Sequence, residues 1–207
     1  MRWALALLLA LAAGAGSLYW VTAGFTALTA EDARRQAVAS DPRPLPDARV
    51  LRPDGATVSL LEDLRADGRV AIVNFFYSRC ESLCLAQGSQ TGRLQQAIGE
   101  RGLASRVRLL SISFDPRDRA HELAGYARRM DARPDVWQFL SFADPGERDR
   151  LLGIFGIVVV PAPLGQFEHN AAFHVVTPDG RLARIVDLDD PGEALRVAET
   201  LAAGAGR

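Results

Sequence analysis

The 207-residue chain contains no lysine, only two cysteines and almost no net charge. Its 24 basic residues are all arginine and are balanced by 25 acidic residues. A near-neutral chain lacks the basic field that general nucleic-acid binding requires, so we expect no nucleic-acid partner. A chain of this length also buries enough apolar surface to fold without cross-links. The two cysteines are therefore candidates for chemistry rather than for stability.

Charge is also missing from the N-terminal segment, where residues 3–30 contain no charged side chain and residues 5–21 are almost wholly apolar. About 20 apolar residues span a bilayer core, whereas the apolar part of a secretory signal is usually about 7–15 residues long. The pattern predicts that residues 1–30 form an uncleaved transmembrane helix, with a cleaved signal segment as the alternative.

The charges that flank this segment predict its orientation. Arg2 and the terminal amine precede it, and Glu31 and Asp32 are the first charges after it. Positive charge favours the cytoplasmic side. We therefore expect a single-pass protein of the bacterial inner membrane whose globular domain faces the periplasm, an oxidising compartment.

Beyond the apolar segment, residues 31–46 are predicted to form a charged, proline-containing linker, and residues 47–207 a single α/β domain. A continuous apolar run at 70–77 indicates a central strand, residues 107–114 are predicted to form a second buried strand, and the segment 82–100 between them is predicted to be helical. Two such strands joined by a helix imply a parallel crossover. With a terminal hairpin and helix, this order predicts a thioredoxin-like fold: a central mixed sheet flanked by helices.

Both cysteines lie where the first of these strands ends and the helix begins. A helix N-terminus favours thiolate over thiol, and Arg79 acts in the same direction while Glu81 opposes it. Within a helix, Cys80 and Cys84 lie on one face. The two sulfurs could therefore form a redox-active dithiol or share one metal ion. A purely structural disulfide is the alternative, although it would close only a very short loop.

His169 is the next candidate, since it follows a loop that contains Pro161, Pro163 and Gly165. Two thiolates and an imidazole suit copper, particularly Cu(I), better than calcium or magnesium, and three ligands are few for structural zinc. An ordinary loop histidine is the alternative.

The other polar candidates have simpler interpretations. We expect His174 to have a packing or surface role, His121 to be solvated on a helix surface, and Asp115 to be a turn or cap residue. Tyr77 either lines the site or packs in the core.

Three segments together carry a family resemblance. They are Phe75-Phe76-Tyr77-Ser78-Arg79-Cys80 with Cys84, Ser111-Ile112-Ser113-Phe114-Asp115-Pro116-Arg117-Asp118, and Glu168-His169-Asn170-Ala171 leading to Thr177-Pro178-Asp179-Gly180. In these segments, and in order over residues 45–190, the chain resembles the SCO/SenC family of copper-binding, thioredoxin-like, membrane-anchored proteins.

The resemblance implies that Cys80, Cys84 and His169 bind a copper ion, as Cu(I) or Cu(II). It also implies delivery of that copper to the CuA site of cytochrome c oxidase, or reduction of that site's cysteines. The implied partners are the copper-bearing oxidase subunit or another copper acceptor, and a thiol reductant.

The chain departs from the family pattern around each ligand. Glu81 and Leu85 replace the prolines that usually follow the cysteines, Ser82 stands at an aspartate position, and Glu168-His169-Asn170 replaces Asp-His-Ser. Proline at a helix start fixes φ, so its absence leaves the thiol geometry freer.

Other functions remain possible on the same fold. In a periplasmic thiol–disulfide oxidoreductase, Cys80 would attack a substrate disulfide, Cys84 would resolve the mixed disulfide, and His169 would be dispensable. A thioredoxin-fold peroxidase is disfavoured because its Pro-x-x-x-(Thr/Ser)-x-x-Cys signature does not precede Cys80. An assembly scaffold that uses neither cysteine is the remaining alternative.

Overall fold

The computed structural model describes residues 2–22, 24, 29–80 and 83–205. The chain divides into two compact units, the first ending at Asp41 and the second beginning at Pro42.

The first unit contains helices α1 (Arg2–Val21) and α2 (Ala30–Ser40). A capping box starts α2: the Thr29 hydroxyl accepts from the Asp32 N–H at 3.1 Å, and the Thr29 N–H donates to Asp32 Oδ2 at 3.0 Å. The linker predicted for residues 31–46 is therefore helical over most of its length. The Thr-x-x-Asp signal that starts this helix was not recognised in the sequence.

Helix α1 presents its large apolar side chains to the surroundings, for example Leu7 at 63% and Trp20 at 86% exposure. Within the residues described, none of the helices combines the length and the apolar character that a membrane crossing requires. The anchor over residues 1–30 stays a prediction.

The second unit carries all ten strands found among the described residues, together with five helices. Its strands are β1 (Arg43–Pro44), β2 (Arg49–Leu51), β3 (Thr57–Ser59), β4 (Val70–Phe76), β5 (Val107–Ser113), β6 (Trp137–Phe142), β7 (Val159–Pro161), β8 (Phe167–His169), β9 (Ala172–Val176) and β10 (Arg181–Asp187). Its helices are α3 (Leu60–Asp67), α4 (Leu83–Glu100), α5 (Ala120–Arg129), α6 (Pro145–Phe155) and α7 (Pro191–Ala205).

Eight of these strands form one mixed sheet in the order β1-β10-β9-β4-β5-β6-β2-β3. The central strands β4, β5 and β6 are parallel, with Val70 opposite Val107 and Phe76 opposite Ser113, whereas β9 runs antiparallel to β4. All seven residues of β4 and of β5 are buried, as predicted for both strands. The structure confirms the predicted α/β class with a mixed sheet flanked by helices.

Two polar contacts fix α4, the helix after the cysteine loop, against β4. Asn74 Nδ2 donates to Thr91 Oγ1 at 2.8 Å, and Gln87 Nε2 donates to the Phe75 carbonyl at 3.0 Å. Gly88 allows close approach on the other side of α4, because a Cβ there would lie 2.5 Å from the sulfur of Met130. These contacts set the position of the helix that begins next to the cysteines. The predicted helix start at Ser82 lies outside the described residues.

Parallel strands end at the same edge of a sheet, so the loops that follow β4 and β5 meet there. Tyr77 and Phe114, the first residues after these strands, are in ring contact with centroids 5.5 Å apart. The carboxyl edge of the parallel strands therefore brings the Cys80 loop and the loop of residues 115–118 together.

Candidate metal centre

Cys80 lies in the loop that follows β4 and is buried, with 8% of its surface exposed. Its backbone N–H donates to the Tyr77 carbonyl at 3.3 Å, which closes a tight turn. Cys84 belongs to the first turn of α4, but its side chain, like residues 81 and 82, lies outside the described part of the chain. The predicted pairing of the two sulfurs stays a prediction.

Asp118 fixes the shape of the Cys80 loop and is almost fully buried, at 1% exposure. Its carboxylate accepts from the Ser78 N–H at 2.7 Å, from the Ser78 hydroxyl at 2.5 Å and from the Ser113 hydroxyl at 2.6 Å. It therefore ties the loop after β4 to the last residue of β5. Sequence reasoning assigned no role to Asp118, although the Asp-Pro-Arg-Asp segment contained the signal.

Asp115 organises the neighbouring turn, as predicted. Its carboxylate accepts from the Arg117 N–H at 2.9 Å and from the Arg117 guanidinium at 2.8–3.0 Å, and Arg79 Nη2 approaches it at 3.4 Å. Burial alone would raise the pKa of Asp115, but the hydrogen bonds from Arg117 outweigh it, so the pKa lies below its ordinary value. Asp115 is thus a permanent anion that both arginines share.

His169 is carried by a small two-stranded sheet formed by β7 and β8, where Val159 lies opposite His169 and Pro161 opposite Phe167. Its ring packs against Phe114 with centroids 4.9 Å apart and against Tyr77 at 6.2 Å. The residue expected in a loop thus ends a short strand. Its imidazole lies over the carboxyl ends of β4 and β5, the edge from which the Cys80 loop also leaves.

Tyr77 and Arg117, which lie in the loops after β4 and β5, hold this hairpin in place. The Tyr77 hydroxyl donates to Gln166 Oε1 at 2.8 Å and accepts from the Phe167 N–H at 3.4 Å. Arg117 Nη2 donates to the Gly165 carbonyl at 2.7 Å. Tyr77 therefore lines the candidate site as well as packing in the core, since it connects the Cys80 loop to the segment that carries His169.

The hydrogen bond of His169 defines its tautomer. Nδ1 lies 2.9 Å from the Asn170 carbonyl, which can only accept, so Nδ1 carries the proton and the neutral ring keeps its lone pair on Nε2. Burial lowers the pKa of His169, and the bond to Asn170 opposes this only in part. A neutral imidazole fixed by a backbone carbonyl is the form in which histidine binds metals.

The other two histidines behave as predicted. His174 is buried at 1% exposure in β9, with Nε2 lying 3.2 Å from the Phe155 carbonyl. The His121 side chain is 90% exposed beside Glu122. Neither lies in the Cys80 loop or on the hairpin.

The donor set at this edge suits a soft metal ion. Across residues 2–22, 24, 29–80 and 83–205, no three described His, Cys, Asp or Glu side chains form a group that could hold a metal. Thiolate and neutral imidazole are the ligands that copper prefers, and the three-ligand site of Cys80, Cys84 and His169 stays a prediction.

Comparison with known proteins decides the family. A family model described as SCO1/SenC matches residues 56–203, well over half of the chain. The chain belongs to the SCO1/SenC family. The match spans Cys80, Asp118 and His169, so the organisation of this edge lies within the family domain. A comparison with curated proteins finds no significant match.

Solved structures of the Sco family share the fold. A SCO1/SenC family lipoprotein from Bacillus anthracis str. Ames is 20% identical, with a TM-score of 0.69 over 78% of this chain and 98% of that one. BsSco, a member of the Sco family of cytochrome c oxidase assembly proteins in which a disulfide switch was identified, is 24% identical, with a TM-score of 0.67 over 79% of this chain and 95% of that one. ScoI of Bradyrhizobium japonicum, solved with copper bound, is 22% identical, with a TM-score of 0.62 over 76% and 99%. Copper-bound and disulfide-switching relatives thus share one architecture.

Proposed function

We propose that this protein carries copper for the assembly of cytochrome c oxidase and binds it through Cys80, Cys84 and His169. One observation carries the proposal: the His169 ring packs on Tyr77, three residues before Cys80, with its lone pair on Nε2. A thiol and a neutral imidazole from separate segments of the chain therefore share one edge of the sheet. Copper-bound relatives of the same fold support the choice of metal.

Copper is the cargo of this protein, and its transfer is a ligand exchange. Each bond from copper to a sulfur of Cys80 or Cys84 is replaced by a bond to the acceptor, so the oxidation state of copper does not change. Acceptor thiols release protons as they bind, and the freed thiolates of the carrier take protons up. The acceptor proposed here is the copper-bearing subunit of cytochrome c oxidase. A thiol reductant keeps Cys80 and Cys84 available.

We further propose that residues 1–30 hold the protein in the bacterial inner membrane, with the second unit in the periplasm. The support is the exposed apolar surface of α1 and the absence of charge between residues 3 and 30. Extraction of membranes with alkaline carbonate tests this, because an anchored chain stays in the pellet and a released one appears in the supernatant.

Copper titration of the full-length chain in mild detergent tests the metal site. We expect one copper per chain, loss of binding in Cys80→Ala and weaker binding in His169→Ala. His121→Ala is the matched control, since that imidazole is 90% exposed and lies on α5. Stoichiometric binding that survives replacement of both Cys80 and His169 would refute the copper site.

A thiol–disulfide oxidoreductase is the second candidate. It is favoured by the Cys-x-x-x-Cys spacing of Cys80 and Cys84 and by the disulfide switch identified in BsSco. His169→Ala in cells separates the two functions. Loss of oxidase assembly with both thiols still reactive supports copper transfer, whereas normal assembly supports the redox role.

A further inference from the structure

Leu164, at the turn of the β7–β8 hairpin, combines exposure with backbone strain. Its surface is 98% exposed, and its backbone is left-handed, with φ 59° and ψ 24°. A residue other than glycine is strained in the left-handed conformation, because its Cβ comes too close to the backbone. Since the leucine side chain is exposed, it buries almost no apolar surface that could offset the strain. Strain at an exposed position of this kind is typical of a functional contact.

The turn is held firmly in this shape. The Ala162 N–H donates to the Gln166 carbonyl at 2.9 Å, and the Gln166 N–H donates to the Pro163 carbonyl at 3.2 Å. Arg117 Nη2 donates to the Gly165 carbonyl at 2.7 Å. The side chain of Leu164 is therefore presented to solvent at a fixed position.

A continuous series of contacts leads from this turn to the cysteine loop. Arg117 contacts Gly165 and pairs with Asp115 at 2.8 Å, and Asp115 is approached by Arg79, the neighbour of Cys80 in the chain. Leu164 thus lies at one end of a surface that also includes Arg117 and Arg79, and the buried Cys80 follows Arg79 in the chain.

Among the described residues, which leave out Glu81 next to Cys80, the exposed charges of this surface are positive. The side chains of Arg79 and Arg117 are 48% and 43% exposed, whereas those of Asp115 and Asp118 are buried. Glu168 is exposed, but it alternates with Phe167 and His169 along β8 and so lies on the opposite face of the hairpin. A partner that covers the surface would therefore meet guanidinium groups beside an exposed leucine.

We propose that Leu164, Arg79 and Arg117 form the docking surface for the copper acceptor, an inference that depends on the proposed copper transfer. The acceptor's ligands must come within bonding distance of the ion, so the acceptor must cover the surface that adjoins Cys80. The chemistry of this surface calls for an acceptor with an apolar pocket for Leu164 and carboxylates around it for the two arginines.

Leu164→Gly tests the proposal without a folding penalty, because glycine adopts the left-handed conformation freely. The assay mixes the copper-loaded full-length chain with the apo form of the copper-binding domain of the oxidase subunit, separates the two proteins at set times and measures the copper bound to each. We expect copper stoichiometry and affinity to be unchanged and the second-order transfer rate to fall about tenfold. Arg79→Gln should slow transfer less and weaken its dependence on ionic strength.

Val160→Thr is the matched control, since Val160 is an exposed apolar residue of the same hairpin, paired with Glu168 on the face away from His169. Its transfer rate should equal that of the wild type. An unchanged rate in Leu164→Gly, or equal slowing in Val160→Thr, would overturn the docking surface. Failure of the wild-type chain to bind copper or to pass it on would instead overturn the proposed function.

Discussion

Two arginine–aspartate networks lie at opposite ends of the parallel strands, and they are built in opposite ways. Near the start of β5, Arg108 is buried at 1% exposure and pairs with Asp63 at 3.0 Å and Asp67 at 3.3 Å. At the other end of β5, the carboxylates of Asp115 and Asp118 are buried instead. The partners of Asp115 at that end are half-exposed arginines.

The difference separates a structural brace from a functional support. Asp63 and Asp67 both lie in α3, so their ion pairs with the buried Arg108 hold that helix against the sheet. Arg52 adds a further ion pair with Asp63. At the carboxyl edge, buried carboxylates accept from the backbone N–H groups of Ser78 and Arg117 and so define the shapes of loops. Burying the anion there leaves the cations facing solvent, where a partner can reach them.

Breaking the brace gives the largest expected effect. Arg108→Met would leave Asp63 and Asp67 without their buried cation, so the free energy of unfolding should fall by roughly 3–5 kcal/mol. Urea unfolding followed by circular dichroism measures this, and copper stoichiometry of the folded fraction should not change. Arg196→Met, at an exposed pair with Glu193, is the control and should cost at most about 1 kcal/mol. Equal losses in the two variants would contradict the assignment of a brace.

Removing the support of the Cys80 loop should lower both the stability of the fold and the affinity for copper. Asp118→Ala leaves the Ser78 N–H and two hydroxyl groups without their acceptor, at a cost of about 1–3 kcal/mol, and should lower copper affinity about tenfold. Competition with a chelator of known affinity measures the change. Ser113→Ala removes only one of these bonds and should have a smaller effect. Copper affinity that survives Asp118→Ala unchanged would show that the loop shape does not matter for binding.

Loosening the hairpin should have a still smaller effect. Tyr77→Phe keeps the ring contacts with Phe114 and His169 but removes the hydroxyl that bonds Gln166 and Phe167, a loss of about 0.5–1.5 kcal/mol. Hydrogen exchange of the amides in β7 and β8 should become faster, while exchange in β4 and β5 stays the same. If the hairpin amides exchange at the wild-type rate, the hydroxyl does not hold the hairpin.

Acid pH should slightly reduce the contribution of His169 to the stability of the fold. Burial lowers the pKa of His169 below its ordinary value near 6.5, so in the unfolded chain this residue takes up a proton at a higher pH than in the folded one. Its contribution to stability is therefore complete above pH 6.5 and is lost as pH falls through the folded pKa. Titration of the apoprotein by NMR, with His169→Gln to assign the signal, measures this. A titration midpoint at or above 6.5 would contradict the structure.

The sequence predicted the sheet better than it predicted the first unit and the hairpin. The segments that form β4 and β5 are mostly apolar, and this pattern reflects burial on both faces of the sheet. Helix α2 was missed because its start depends on a local capping box that a charged, proline-containing segment obscured. Strand β8 was missed because three residues with mixed burial carry almost no periodic signal.

What the sequence determined by itself was the α/β order of elements, the strand end that carries Cys80 and the identity of the candidate ligands. Hydrophobic periodicity and the spacing of motifs are local properties that can be read along the chain. Only the tertiary structure decided that Asp118 shapes the Cys80 loop and that Tyr77 and Arg117 dock the His169 hairpin. These contacts join segments 40 to 90 residues apart, and such pairings follow from how the strands assemble rather than from any local pattern.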